Sequence, residues 1–287
     1  MSRRLIVTAD DFGRSLPVND AVEDAHVNGI LTAASLMVTE AARDDAVRRA
    51  RALPSLGVGL HMTLVDGVPA LPPSEIPDLV DANGHFTLDL VRLGTRIYLS
   101  RTVRNQVAAE IRAQFELFKA TGLPLAHVDS HHHYHLHPTV FDLMLDLAVE
   151  YGAPGIRIPW EPPLPSWRAR RNRLGLRLFN GIFHWRRTER MRKRVEQAGL
   201  IANGQAFGLN DSGAMDAGTV GDFLDALPEG LTEIYSHPAT RHWDERPMPP
   251  HYRVADEYSA LTDAGNRAKV QDGGIVLTTF AREAERA

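Results

Sequence analysis

Residues 5–13 read LIVTADDFG. The stretch 5–8 is apolar without alternation, the pattern of a strand covered on both faces, as in a parallel sheet. Helix signals follow it over residues 18–28. The same alternation runs to the end of the chain. Strands are predicted at 34–39, 56–64, 125–129, 155–160, 206–209, 232–236 and 275–280, and helices at 44–53, 103–120, 139–151, 220–227 and 256–271. Strands alternating with helices argue for βαβ units. Eight such strands favour a single-domain α/β barrel, complete, distorted or incomplete, over an open doubly wound sheet. No G-x-G-x-x-G follows the first strand, which counts against a dinucleotide site.

The chain of 287 residues, 44% of them hydrophobic, is long enough to bury the core of one such barrel, and it is read as one domain over 1–287. It has no cysteine, so disulfides, thiolate metal sites and a cysteine nucleophile are excluded. A net charge of −4 gives no case for a nucleic-acid partner. The N-terminal stretch lacks the apolar core of a signal peptide, and no apolar run is long enough to span a bilayer, so a soluble cytoplasmic protein is expected. Two segments interrupt the βα pattern. Residues 67–86 form a proline-rich loop, expected as a lid or rim. Residues 168–194 hold ten arginines and Lys193 against the single acid Glu189, interleaved with Leu, Ile, Phe and Trp.

In parallel α/β folds functional residues collect where strands end. The first strand ends in Asp10-Asp11, the third in Gly59-Leu60-His61, and the fourth runs into HVDSHHHYHLHP at 127–138. A late strand closes with Ser236-His237-Pro238. Each has an ordinary explanation. An aspartate caps a helix, a lone histidine packs in a core, and a histidine run lies in a solvated loop. One cap needs only one carboxylate, however, and so many imidazoles beside one strand end exceed what a loop requires. One carboxylate plus two imidazoles from three strand ends make a three-point metal site with open positions. The second aspartate is then free to act as base on a water, and His237, across the mouth, as acid on the leaving group.

These motifs, TADDFG, GLH and HVDSHHHYHLHP, resemble the YdjC-like carbohydrate deacetylases along essentially the whole chain. LTAASLMV, IPDLVDANGHF, IRIPWEPP, SGAM and LTEIYSHPAT resemble the hopanoid-biosynthesis branch of that family, although HVDSHHH is similar to the chito-oligosaccharide branch. The resemblance implies one divalent ion held by Asp11, His61 and His131, with Asp10 as general base. It also implies the deacetylation of an N-acetylglucosaminyl hopanoid, or alternatively of chito-oligosaccharides or another N-acetylated sugar. Two imidazoles and a carboxylate suit zinc, whereas members of the family are described with magnesium.

Around the ligands, alternation along an extended strand would put His127, Asp129, His131 and His133 on one face and turn His132 away. Asp129 and His133 are then expected to support the ligands or touch substrate. Arg157 and Glu161 are expected to bind sugar hydroxyls, orient the ligands or form an ion pair, and Trp160 to pack or to stack on a sugar. His137 is expected to start a helix at Pro138. The arginine-rich segment 168–194 has the composition of an interfacial helix and is a candidate contact with an anionic membrane, the alternative being a solvated helix pair. Two rival readings use the same residues: a two-histidine, one-carboxylate iron oxygenase, and a sugar- or lipid-binding barrel without catalysis.

Overall fold

The opening run lies inside a ten-residue strand, β1 (Arg3–Phe12), in the computed structural model, which describes residues 2–244 and 248–287. The chain continues through α1 (Leu16–Asn28), β2 (Ala33–Leu36), α2 (Arg43–Ala52), β3 (Gly57–Met62), α3 (Leu90–Leu99), α4 (Arg101–Ala120) and β4 (Val128–Ser130). A 3-10 turn (His131–Leu136) leads to α5 (Pro138–Glu150), β5 (Gly155–Ile156), α6 (Pro163–Arg170), α7 (Leu174–Gln197), β6 (Ile201–Ala202) and β7 (Gln205–Phe207). The last elements are α8 (Ala217–Asp225), β8 (Gly230–Ser236), α9 (Val254–Thr262), α10 (Ala264–Asp272), β9 (Val276–Leu277) and α11 (Phe280–Ala284). The strand order is β6-β5-β4-β3-β2-β1-β8-β7, all parallel, with β9 added to β1. The sheet curls into the expected incomplete barrel. Arg157, just past β5, reaches across its interior to Asp10 of β1 and Glu233 of β8.

The interior is built in layers. Alternation on β1 sends Leu5, Val7 and Ala9 outward to the helices and Ile6 inward, where it packs with Ala33, Leu231 and Phe280. Phe280 begins α11 and plugs the barrel floor, which the small inward residues permit. A Cβ on Gly155 would lie 2.6 Å from the Phe280 ring. Above this apolar floor sits a polar layer comprising Thr8, Ser35, His127, Asp129, Arg157 and Glu233, all buried. Gly59 makes room there, since a Cβ would come within 2.4–2.5 Å of the His127 ring. The strand ends rise above this layer and form the mouth.

The expected helix over 256–271 is two helices, because Asp263 caps α10 by accepting from the Asn266 N–H at 2.8 Å. Helix α3, amphipathic with Leu93 and Ile97 buried, and the short elements β6 and α11 are not among the elements expected from the sequence. The predicted strand at 275–280 is paired only at Val276–Leu277, since Thr279 caps α11. No helix among the described residues is long and apolar enough to cross a membrane.

Candidate active site

At the end of β1 the pairing with β2 shifts register between Ala9 and Phe12. Asp11 takes a left-handed backbone, φ 64°, which aspartate tolerates better than most residues. This bulge breaks the strand alternation, so Asp10 and Asp11 both serve the mouth instead of facing opposite ways. Asn19 of α1 holds the turn by accepting from the Gly13 N–H at 2.9 Å. Neither aspartate caps α1, whose cap position is Ser15.

Asp11, His61 and His131 converge so that one donor atom from each lies within 4.8 Å of the others. Asp11 Oδ1 is 3.1 Å from His131 Nδ1 and 3.4 Å from His61 Nε2. Asp11 Oδ1 and His61 Nε2 are buried and lack a hydrogen-bond partner among the described residues. Orphaned buried polar atoms are costly, and a shared cation would satisfy them. The other ring nitrogen of His61, Nδ1, is 2.7 Å from Asp129 Oδ1. With Asp129 accepting from Nδ1–H, the Nε2 lone pair is left for a metal. The residues therefore fit one divalent cation. Burial alone would lower the His61 pKa, but the Asp129 and Asp10 carboxylates raise it to about 10. The His131 pKa is also raised, burial being outweighed by Asp11. Burial opposes ionisation of Asp11, yet His131, His61 and Arg14 hold its pKa well below the usual carboxylate range. Protons and cations compete for this cluster.

Asp10 lines the cavity above, of about 220 Å³. Its two oxygens accept from Arg157 Nη1 and Nη2 at 2.7 and 2.8 Å. The same guanidinium lies 2.8 Å from Asp129 and 2.9 Å from Glu233. Asp10, His61 and Asp129 also cluster closely, but the arginine already serves as the cation for both carboxylates. Arg157 is fully buried, so of the roles expected for it contact with sugar is excluded, and the ion pair itself orients Asp10 and Asp129. His237 lines the cavity too; its backbone N–H donates to Glu257 at 2.6 Å. His133 Nε2 meets the Tyr235 hydroxyl at 2.8 Å in the same wall.

The histidine run departs from the expected alternation. β4 ends at Ser130, and His132 and His133 are both left-handed (φ 53° and 50°). The turn brings His131, His132 and His133 all to the cavity, so His132 lines it instead of pointing away. His127 and His135 lie in the interior, where burial lowers the pKa of each to about 4. His137 does precede a helix with proline at its start. Glu161 accepts from Ser166, from Arg177 at 3.0 Å and from the backbone of Gly208 and Asn210 at 3.3 and 3.1 Å. These bonds tie the loop after β7 to α7. Trp160 donates to the Gly181 carbonyl at 3.2 Å and packs in the wall of an adjoining groove of about 200 Å³, which meets the cavity at His132, His133 and Leu209.

Asp66 escaped the sequence reading. It stands at the start of the proline-rich loop with φ 47°, and its Oδ2 is 3.5 Å from His131 Nε2 and 3.2 Å from Arg14. Asp66 stands to His131 as Asp129 stands to His61. The only signal in the sequence was an aspartate before Gly67. Asp66→Ala is expected to weaken cation binding by about 10- to 100-fold, measured by titration against a competing chelator, with the fold unchanged. Affinity equal to that of the parent protein would remove Asp66 from the site.

The profile of the family described as YdjC-like protein matches residues 4–272. A carbohydrate deacetylase of Brevibacillus brevis is 40% identical over 181 residues, covering 63% of this chain and 68% of the relative. A carbohydrate deacetylase of Thermoanaerobacter pseudethanolicus is 28% identical over 281 residues, covering 96% and 98%. Among solved structures, one described as a cellobiose-phosphate cleavage protein from Enterococcus faecalis superposes with TM-score 0.77 at 24% identity, covering 99% of both chains. That likeness shows the shared barrel.

Proposed function

Because the chain belongs to the family of YdjC-like proteins, we propose that it removes the acetyl group from an N-acetylated sugar, using a divalent cation held by Asp11, His61 and His131. It is an enzyme, a carbohydrate N-deacetylase of the hydrolase class. The observation that carries the site assignment is the convergence of orphaned donor atoms beneath a cavity that Asp10 and His237 both line. A bound divalent cation supplies Lewis acidity, polarising the acetyl carbonyl and lowering the pKa of water. Asp10 Oδ takes the proton of the attacking water. Arg157 keeps that carboxylate aimed at the cavity. A C–O bond forms and the amide C–N bond breaks. The His237 imidazole donates a proton to the departing amine, leaving acetate and a free amino sugar. His133 and Tyr235 stand in the wall where sugar hydroxyls would lie.

For the substrate we favour an N-acetylglucosaminyl hopanoid over chito-oligosaccharides. Support comes from the branch-like motifs and from the groove that leads out of the cavity to α7. A glycolipid requires the protein to reach a bilayer, and 168–194 is the candidate for that peripheral contact. Zinc and magnesium are the ions to compare, with the donor set favouring zinc. The test is mass spectrometry of both substrate classes with metal-loaded and chelator-treated protein. Loss of one acetyl from the glycolipid, abolished by the chelator, is expected. Turnover of chito-oligosaccharides alone would replace the substrate, and oxygen uptake without acetate would replace the reaction class.

A further inference from the structure

The N-terminal half of helix α7 is amphipathic in the inverse sense, whereas its C-terminal half buries Met191 and Val195 in the ordinary way. A surface helix ordinarily turns its apolar side to the core and its polar side to water. Here the side toward the protein carries Arg177, which is fully buried, with both Asp211 oxygens at 2.9 Å and Glu161 at 3.0 Å. The outward side carries Phe179, Ile182 and Phe183, exposed by 63, 67 and 68%, with Leu176 beside them at 47%. The rings of Phe179 and Phe183 stack one turn apart, centroids 5.6 Å. Further along the same outward side come Arg186, Arg190 and Lys193, all exposed. At the other end lie the exposed Arg168, Arg171 and Arg173. Among the described residues Arg168, Arg173, Arg186 and Arg190 have no carboxylate partner. The core thus binds an arginine while solvent meets a phenylalanine pair, an arrangement that costs stability unless something covers the outer side.

We propose that the outward side of α7 docks on an anionic lipid bilayer, with Phe179, Ile182 and Phe183 at the acyl boundary and the flanking cations among the phosphates. Charge decides between occupants. A second copy packed about a two-fold axis would bring the same unpaired guanidinium groups toward one another. An anionic lipid surface covers the apolar strip and neutralises both basic ends. The inference deepens the glycolipid reading and rests on it for its meaning. Another flank of α7, with Asn180, Gly181 and His184, walls the groove that joins the cavity at His132 and His133. Docking on the outer side therefore sets the groove beside the headgroup layer, where a membrane-borne sugar would be.

The test uses the full chain and does not depend on turnover. Co-sedimentation is measured with vesicles of phosphatidylcholine alone and of phosphatidylcholine with phosphatidylglycerol. Binding is expected only to the anionic vesicles, released by salt, and weakened about fivefold for each of Arg186→Gln and Arg190→Gln. The triple change Phe179→Ser, Ile182→Ser, Phe183→Ser is expected to abolish binding while the circular-dichroism spectrum stays unchanged. Absence of binding to anionic vesicles, or equal binding to neutral ones, overturns the proposal. A dimer that the triple change dissociates, without vesicle binding, would assign the face to a second copy instead. Vesicle binding by a protein that releases no acetate would keep the docking surface and defeat the deacetylase reading.

Discussion

Asp10→Asn is expected to lower turnover by about 10²- to 10⁴-fold while leaving cation binding intact. The amide cannot take a proton from water, yet it has nearly the shape of the carboxylate and still offers one acceptor to Arg157. The guanidinium keeps two further partners, Asp129 at 2.8 Å and Glu233 at 2.9 Å, so its charge remains compensated. The three residues that converge on the cation position are untouched. Metal content of the purified variant and initial rates of acetate release separate the possibilities. Full activity would assign the base to another group. Loss of bound metal together with activity would make Asp10 a ligand.

The second large effect is on stability. Arg157→Met removes the guanidinium that three buried carboxylates, Asp10, Asp129 and Glu233, share. Breaking a buried ionic network by deleting one partner costs about 3–5 kcal/mol. Glu233 is best able to relieve the strain, because burial already raises its pKa against the pull of Arg157. Arg157→Lys restores charge but not the fork that spans the carboxylates, so an intermediate loss is expected. Urea unfolding at neutral pH measures both. A change under about 1 kcal/mol in the methionine variant would show that the carboxyl groups adapt without the arginine.

Much of the site was legible because strand ends advertise themselves. An apolar run that stops at acids or imidazoles has no packing reason to do so, which exposed Asp10, Asp11, His61 and the run after Val128. Asp66 was not legible. It comes from a loop without periodicity, and only the fold carries it to His131 across 65 positions of sequence. The left-handed turn at His132 and His133 was hidden as well, because residue identity alone does not fix the sign of φ there.

The alternation of apolar runs and helices was enough to specify a parallel barrel, since a strand covered on both faces has to be apolar throughout, and a buried strand can end in charge only at the mouth. Tertiary structure alone decided what each polar residue does. Arg157 and Arg177 read in the sequence as mouth and surface residues, yet both are fully buried, because compensating carboxylates reach them from β1, β4 and β8 or from the loops after β5 and β7. Phe179 and Phe183, in the segment expected as an interfacial or solvated helix, lie exposed. Burial of a charge depends on partners distant in sequence, and hydropathy along the chain carries no record of them.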